Sequence, residues 1–353
     1  MRADALGWLL EPRDPSIRLH ALRDVLHLPR DNGKALATKE RVESYAPVRK
    51  ILNAQTREGY WPPESSCYSP KFTATVWPLI LLGEMGLPPD PRIKIACERF
   101  FDLHQMDNGA FSWMSNREKR RGWKVEEEPC LTGNMIRTLA VFGYGQDPRL
   151  ERAVEWLPEQ QQEDGGWNCD YPHRTVKHSS FMSTITPLWA YSEIPRSRWT
   201  RKMKRSIERG AEFLLMHRLY KSDHHDWRPV EIWKRGEHQL WMRGEQHFTR
   251  FHFPMYYYYD ALHALRVLTK LGFGDDERTR DAVHLVLSKR TPEGKWLLEG
   301  DWLRERKGEN AVKRRRAIVN VETLMKPSKW VTLNCYRALL GTSDLEIPRK
   351  YDA

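Results

Sequence analysis

Gln161-Gln162-Glu163-Asp164-Gly165-Gly166-Trp167 is the stretch that decides the fold. It joins a Gln, a few polar residues, a Gly and an aromatic. The same phrase stands at Gln55-Thr-Arg-Glu-Gly59-Tyr60-Trp61 and at Gln105-Met-Asp-Asn-Gly109-Ala-Phe111. A weaker copy is Arg290-Thr-Pro-Glu-Gly294-Lys-Trp296. The glycines are 50, 56 and 129 residues apart, and the last gap has room for a degenerate copy ending near Asp226-Trp227. A period of this size marks an array of supersecondary units.

Between the phrases two kinds of helix alternate from about residue 45. One kind leads into the phrase: Val48–Gln55, Ile93–Gln105 and Leu150–Gln162. It is amphipathic, as in Arg149-Leu-Glu-Arg-Ala-Val-Glu-Trp-Leu. The other kind follows it: Phe72–Met85, Leu131–Phe142, Phe181–Tyr191, Phe253–Leu271 and Trp330–Leu340. These are apolar almost all round, the mark of a buried helix. An inner layer of buried helices and an outer layer of half-exposed ones follows. Residues 1–44 read as a helical lead-in that closes the array, and 45–353 as the repeats of one domain. No segment shows the alternation of a strand. The Gln and Trp of each phrase read as structural: the Trp packs back on the next hairpin, and the Gln bonds freed backbone groups at a helix end.

The net charge of +11 favours anionic partners or simple solubility. No nucleic-acid motif accompanies it, so nucleic acid is not expected as a partner. No run reaches the roughly 20 apolar residues of a membrane helix, and the first residues lack the apolar core of a signal peptide. Five widely spaced cysteines (67, 97, 130, 169 and 335) suit a reducing compartment and free or metal-bound thiols. A cytoplasmic location is therefore expected.

The phrases resemble the repeat of the terpenoid-cyclase and protein-prenyltransferase superfamily over roughly residues 45–345, Gly165-Gly166-Trp167 being the most specific copy. The resemblance implies an all-α (α/α)6 toroid whose central cavity is lined by inner-helix N-termini. The Asp-x-Asp-Asp acid of squalene-hopene-type cyclases is missing from this sequence, which disfavours proton-initiated cyclisation. The prenyltransferase β-subunit branch holds zinc with Asp-x-Cys before one inner helix and a His before the next. Here Glu128-Pro129-Cys130 and His178 match those places, with Glu in place of Asp and Leu131 where the family often has an aromatic.

Aligning the inner-helix starts puts Lys71, Cys130, Ser180, His252 and Lys329 at equivalent places. A helix N-terminus lowers the pKa of a thiol placed there. Cys169 follows Trp167-Asn168 in the loop that His178 ends. Two thiolates and an imidazole with an open fourth position make a catalytic-type zinc site, the fourth ligand being Glu128, His252, water or a substrate thiol. Lanthionine-synthetase cyclases are similar in ligand set, though not in motif. Cys67, Cys97 and Cys335 read as core. His252, Tyr256 and Asp260, in the Arg250–Asp260 stretch with its four consecutive tyrosines, are the catalytic candidates. Arg120, Arg121, Lys71 and Lys329 could hold an anion such as a diphosphate. His224, His225, His238 and His247 lie in a polar insert (217–250) that reads as a lid or rim loop. Three functions follow. The favoured one is a prenyltransferase-like, zinc-dependent enzyme that activates a thiol or water against an isoprenoid-type substrate in an aromatic cavity. The rivals are a metal-free, terpene-cyclase-like enzyme using Asp260 or Glu128, and a non-catalytic ring that binds a peptide or lipid.

Overall fold

The structure, a computed structural model, describes residues 5–122, 126–169, 178–221, 248–301, 303–307, 311–314 and 316–342. The degenerate phrase near Asp226-Trp227 and the histidines at 224, 225, 238 and 247 lie outside them. Among the described residues the fold is almost wholly α-helical. In chain order the helices are α1 (Ala5–Leu9), α2 (Pro15–His20), α3 (Gly33–Glu40), α4 (Ala46–Asn53), α5 (Val76–Glu84), α6 (Pro91–His104) and α7 (Asn116–Arg120). There follow α8 (Pro129–Leu139), α9 (Pro148–Trp156), α10 (Phe181–Ser192), α11 (Arg201–Met216), α12 (Ala261–Leu271), α13 (Arg280–Ser288) and α14 (Lys329–Leu339).

The chain divides into two compact units, one of residues 46–213 and one of residues 1–45 with 214–353. In the first unit the inner helices are α5, α8 and α10. All nine residues of α5 are buried, as are all of α8 except Cys130 and all of α10 after Met182. α8 packs on both α5 and α10. In the second unit α12 and α14 are the inner pair, and the lead-in helices α1 and α2 pack on α14. Arg337 of α14 pairs with Asp24 of the lead-in.

The repeated phrase is a joint with one set of bonds. Indole N–H groups of Trp61, Trp167 and Trp296 donate to the carbonyls of Ile51, Leu157 and Val286, ten residues back in each case, at 2.8, 2.8 and 2.6 Å. Gln105 and Gln161 each bridge the carbonyl of their own phrase's Gly to a carbonyl of the following outer helix, Arg149 or Ser206. Gln55 reaches Arg92 in the same manner. Backbone N–H groups of Trp61, Phe111, Trp167 and Trp296 donate to Thr75, Thr132, Thr184 and Thr332 of the next inner segment, at 3.0–3.1 Å. These threonines fix the register of the inner helices, and the sequence reading missed them.

Each phrase glycine has positive φ. At Gly165 φ is +99°, and an added Cβ would lie 2.6 Å from the Arg209 carbonyl oxygen, so strain and clash act together. Gly165→Ala is expected to cost at least about 2 kcal/mol, read as a lower urea midpoint at unchanged slope.

Two expectations are corrected. A two-stranded antiparallel hairpin pairs Arg304–Lys307 with Ala311–Arg314; its charged sequence has no apolar alternation, so the pattern could not announce it. The tyrosine-rich stretch is not helical: α12 starts at Ala261, with Asp260 as its N-cap and Tyr256 at φ +53°. The positive φ of Tyr256 and the extended Asp260, whose carboxylate caps α12 through His263 N–H, keep the helix from reaching back over 253–260.

Candidate functional site

Glu128, Cys130 and Cys169 converge where α8 begins. One ligand atom from each lies within 4.8 Å of the others. Glu128 is the N-cap residue of α8, but its carboxylate makes no capping bond to the helix. Instead the Cys130 thiol donates to Glu128 Oε2 at 3.6 Å. Pro129 at the first helical position suits this geometry, since its missing N–H would have no helical partner there. Cys169 is placed from the α10 side: its N–H donates to Ser183 Oγ at 3.2 Å, and that hydroxyl donates to Cys169 Sγ at 3.3 Å. The Cys130 sulfur is enclosed, although the residue keeps part of its exposure.

The thiol of Cys130 is not activated as its place at a helix start suggested. It is held well above the ordinary thiol range by its hydrogen bond with Cys169, by burial and by the nearby Glu128 carboxylate. The helix terminus loses to two acidic neighbours at contact distance. Three crowded acidic groups form a donor set that a divalent cation would relieve, and thiolate plus carboxylate is a set zinc accepts.

His178 is not part of this group. It is exposed, with Nδ1 3.2 Å from the Ser179 carbonyl oxygen, and its own carbonyl accepts from Asn168 Nδ2 at 2.8 Å. Lys71 is half-buried, its ammonium 5.6 Å from the centre of the Tyr68 ring. Arg120 ends the short helix α7 and Arg121 is its C-cap residue; both are exposed. Cys67 and Cys97 are buried, Cys67 with its thiol directed at the carbonyls of Ser112 and Trp113. Burial holds both thiols above their usual range, which fits a core role.

In the other unit, His252 and Asp260 come together. Asp260 accepts from His252 N–H at 2.9 Å, sits 3.2 Å from His252 Nδ1, and caps α12 through His263 N–H at 2.7 Å. Both side chains are fully buried. The far side of the imidazole lies against Gly300, where a Cβ would come within 1.8 Å of Nε2. Tyr256 is also buried. Lys329 begins α14, and its charge is met by Glu11, at 2.8 Å, and by Asp14. Cys335 is core.

Glu322, beside these groups, was not singled out from the sequence. Its Oε1 accepts from Trp330 N–H at 3.0 Å. Burial and, less strongly, the Asp14 charge push its pKa up to about 7, against the bonds from Trp330, Ser328 and Lys329 that pull it down. The only sequence signal was a carboxylate in the loop leading to an inner helix, as at Glu128. A raised folded-state pKa means that stability from the protonated form is complete below the unfolded value of about 4.5 and is lost as pH rises through about 7. Glu322→Gln is expected to flatten the wild-type loss of stability across that window in urea titrations at stepped pH. An unchanged slope would contradict it.

No protein-family model and no curated protein matches the sequence. Solved structures do. A protein from Actinoplanes is 14% identical, over 94% of this chain and 89% of that one, with a TM-score of 0.45. The type II terpene cyclase MstE from Scytonema is 13% identical, over 94% and 87%, also at 0.45. ent-Copalyl diphosphate synthase from Streptomyces platensis is 12% identical, over 94% of this chain and 50% of its own length, at 0.42. Among the described residues, no helix is long and apolar enough to cross a membrane.

Proposed function

We propose that this chain is an enzyme whose reaction centre is the Glu128–Cys130–Cys169 cluster holding zinc, with an apolar, isoprenoid-type small molecule as substrate. One observation carries the metal: three donor atoms from two separate segments lie within 4.8 Å of one another at the start of a buried helix. Zinc bound there has an open fourth position when only these three residues ligate it. The ion would supply Lewis acidity, holding a thiol as thiolate or acidifying a water. The chain's own residues do the placing. Pro129 and the α8 cap position fix Cys130, Ser183 orients Cys169, and Glu128 offers a carboxylate that the helix does not use. The anion-holding role of Arg120, Arg121, Lys71 and Lys329 is not part of this proposal, since Lys329 is already neutralised by Glu11 and Asp14.

A second reading rests on Glu322. It stands in the loop before the inner helix α14, with Oε1 on the Trp330 N–H, and burial pushes its pKa up to about 7, which would suit a general acid acting without metal. That is the metal-free, cyclase-like chemistry. The Asp260 oxygens accept from the His252 and His263 N–H groups.

Elemental analysis of untagged protein separates the two. The zinc reading expects about one equivalent per chain, as for a single site, and loss of it with dipicolinate. Metal-free protein that turns over an isoprenoid substrate, with activity abolished by Glu322→Gln, would establish the second reading instead.

A further inference from the structure

Four inner helices share a register set by their N-cap residues: Glu128 for α8, Ser180 for α10, Asp260 for α12 and Ser328 for α14. Six residues after each cap stands a buried polar side chain, respectively Asn134, Thr186, Arg266 and Asn334. In the unit that holds α12 and α14, these two satisfy each other. Arg266 Nη1 donates to Asn334 Oδ1 at 2.9 Å, and Arg337 Nη1 adds a second bond at 3.1 Å.

The matching slot of α8 and α10 is filled differently. Asn134 Oδ1 and Thr186 Oγ1 are buried with no hydrogen-bond partner among the described residues. α8 even repeats the Thr-x-Asn-x-x-Arg string of α14, as Thr132, Asn134 and Arg137 against Thr332, Asn334 and Arg337. Its arginine is drawn elsewhere: the Arg137 guanidinium lies 3.7 Å from the centre of the Trp189 ring. Buried oxygens are nearly always paired in folded proteins, so two orphans in one structural slot ask for a ligand.

Their position relates them to the cluster. Asn134 follows Cys130 by four residues and Thr186 follows Ser183 by three, which places each one turn along the same helix face. The two helices are in close contact here, since a Cβ on Gly133 would lie 2.7 Å from Thr186 C and Pro187 N.

We propose that Asn134 and Thr186 form a polar subsite for a hydrogen-bond-donating group of the substrate, a hydroxyl or an amine. That group would sit about one helical turn, ~5–6 Å, from the atom engaged by the Glu128–Cys130–Cys169 cluster. The inference rests on the reading of that cluster as the reaction centre. Asn134 Oδ1 accepts the donor's proton, and the Thr186 hydroxyl, free to turn, either accepts or donates.

The test uses farnesol, farnesylamine and farnesyl methyl ether, the last having no donor. Their binding is measured by calorimetry on wild-type, Asn134→Leu and Thr186→Val proteins, with zinc content and melting temperature recorded for each. Wild type is expected to bind the two donors roughly tenfold more tightly than the ether. Each variant is expected to bring that preference below about threefold, at unchanged zinc content and with no loss of melting temperature. Equal binding of the three probes, no binding of any, or a preference that survives both substitutions would overturn the subsite. So would a clear drop in melting temperature, because it would mean that the oxygens already serve the ligand-free fold. A donor preference lost in the variants of a protein without zinc would leave the subsite standing and remove the metal.

Discussion

Cys130→Ser is expected to strip the protein of zinc, and Cys169→Ser to do the same. A serine hydroxyl at either place is a weak ligand for zinc at neutral pH, whereas a thiolate is a strong one. The affinity lost should exceed the ~10–100-fold that removal of an outer partner of a metal ligand costs. Glu128→Gln keeps the shape and removes only charge, so a smaller loss is expected. Glu128 makes no capping bond to α8, so its replacement leaves the helix start capped as before. Zinc content from elemental analysis, read beside the melting temperature of metal-free protein, checks it. Retention of a full equivalent in both serine variants would put the metal elsewhere.

The second large effect concerns stability. Trp167→Ala is expected to destabilise the protein by about 3–5 kcal/mol, the range for truncating a buried Phe or Trp. The indole is fully buried, packs against Gly210 and donates to the Leu157 carbonyl at 2.8 Å. A typical domain holds only about 5–15 kcal/mol in total, so a loss of this size removes a large part of the margin. Trp167→Phe keeps most of the apolar surface and orphans the Leu157 carbonyl, a cost of about 1–3 kcal/mol. Urea unfolding of the three proteins gives the order; equal midpoints would deny the phrase its structural role.

These two effects mark what the sequence could and could not disclose. The helix alternation was legible because burial all round and amphipathicity differ in period. The phrase was legible because its Gly and Trp carry out one local task at each copy. The threonine register was not, since Thr75, Thr132, Thr184 and Thr332 look like ordinary helix residues until the N–H they receive is seen. That register also shifts the correspondence of the inner-helix starts. Counted from the threonines, Lys71, Ser180 and Ser328 correspond to Glu128, not to Cys130. The pairing of Cys130 with Cys169 was anticipated from adjacent loops, and the structure brings them together with Glu128. His178 was anticipated beside them and stands exposed, because the resemblance supplies an order along the chain and not a side-chain direction. His252 and Asp260 read as reactive groups from their chemistry and their place in the tyrosine-rich stretch before an inner helix. In the structure they tie a loop to the start of α12. Glu322 escaped notice because its unusual acidity arises from burial, which no local pattern encodes.

The zinc K-edge absorption of untagged, metal-loaded protein tests the account most directly. It is predicted to show two sulfur neighbours at about 2.3 Å and oxygen at about 2.0–2.2 Å, with one sulfur lost in Cys130→Ser. A first shell without sulfur, or protein that takes up no zinc at all, would contradict it.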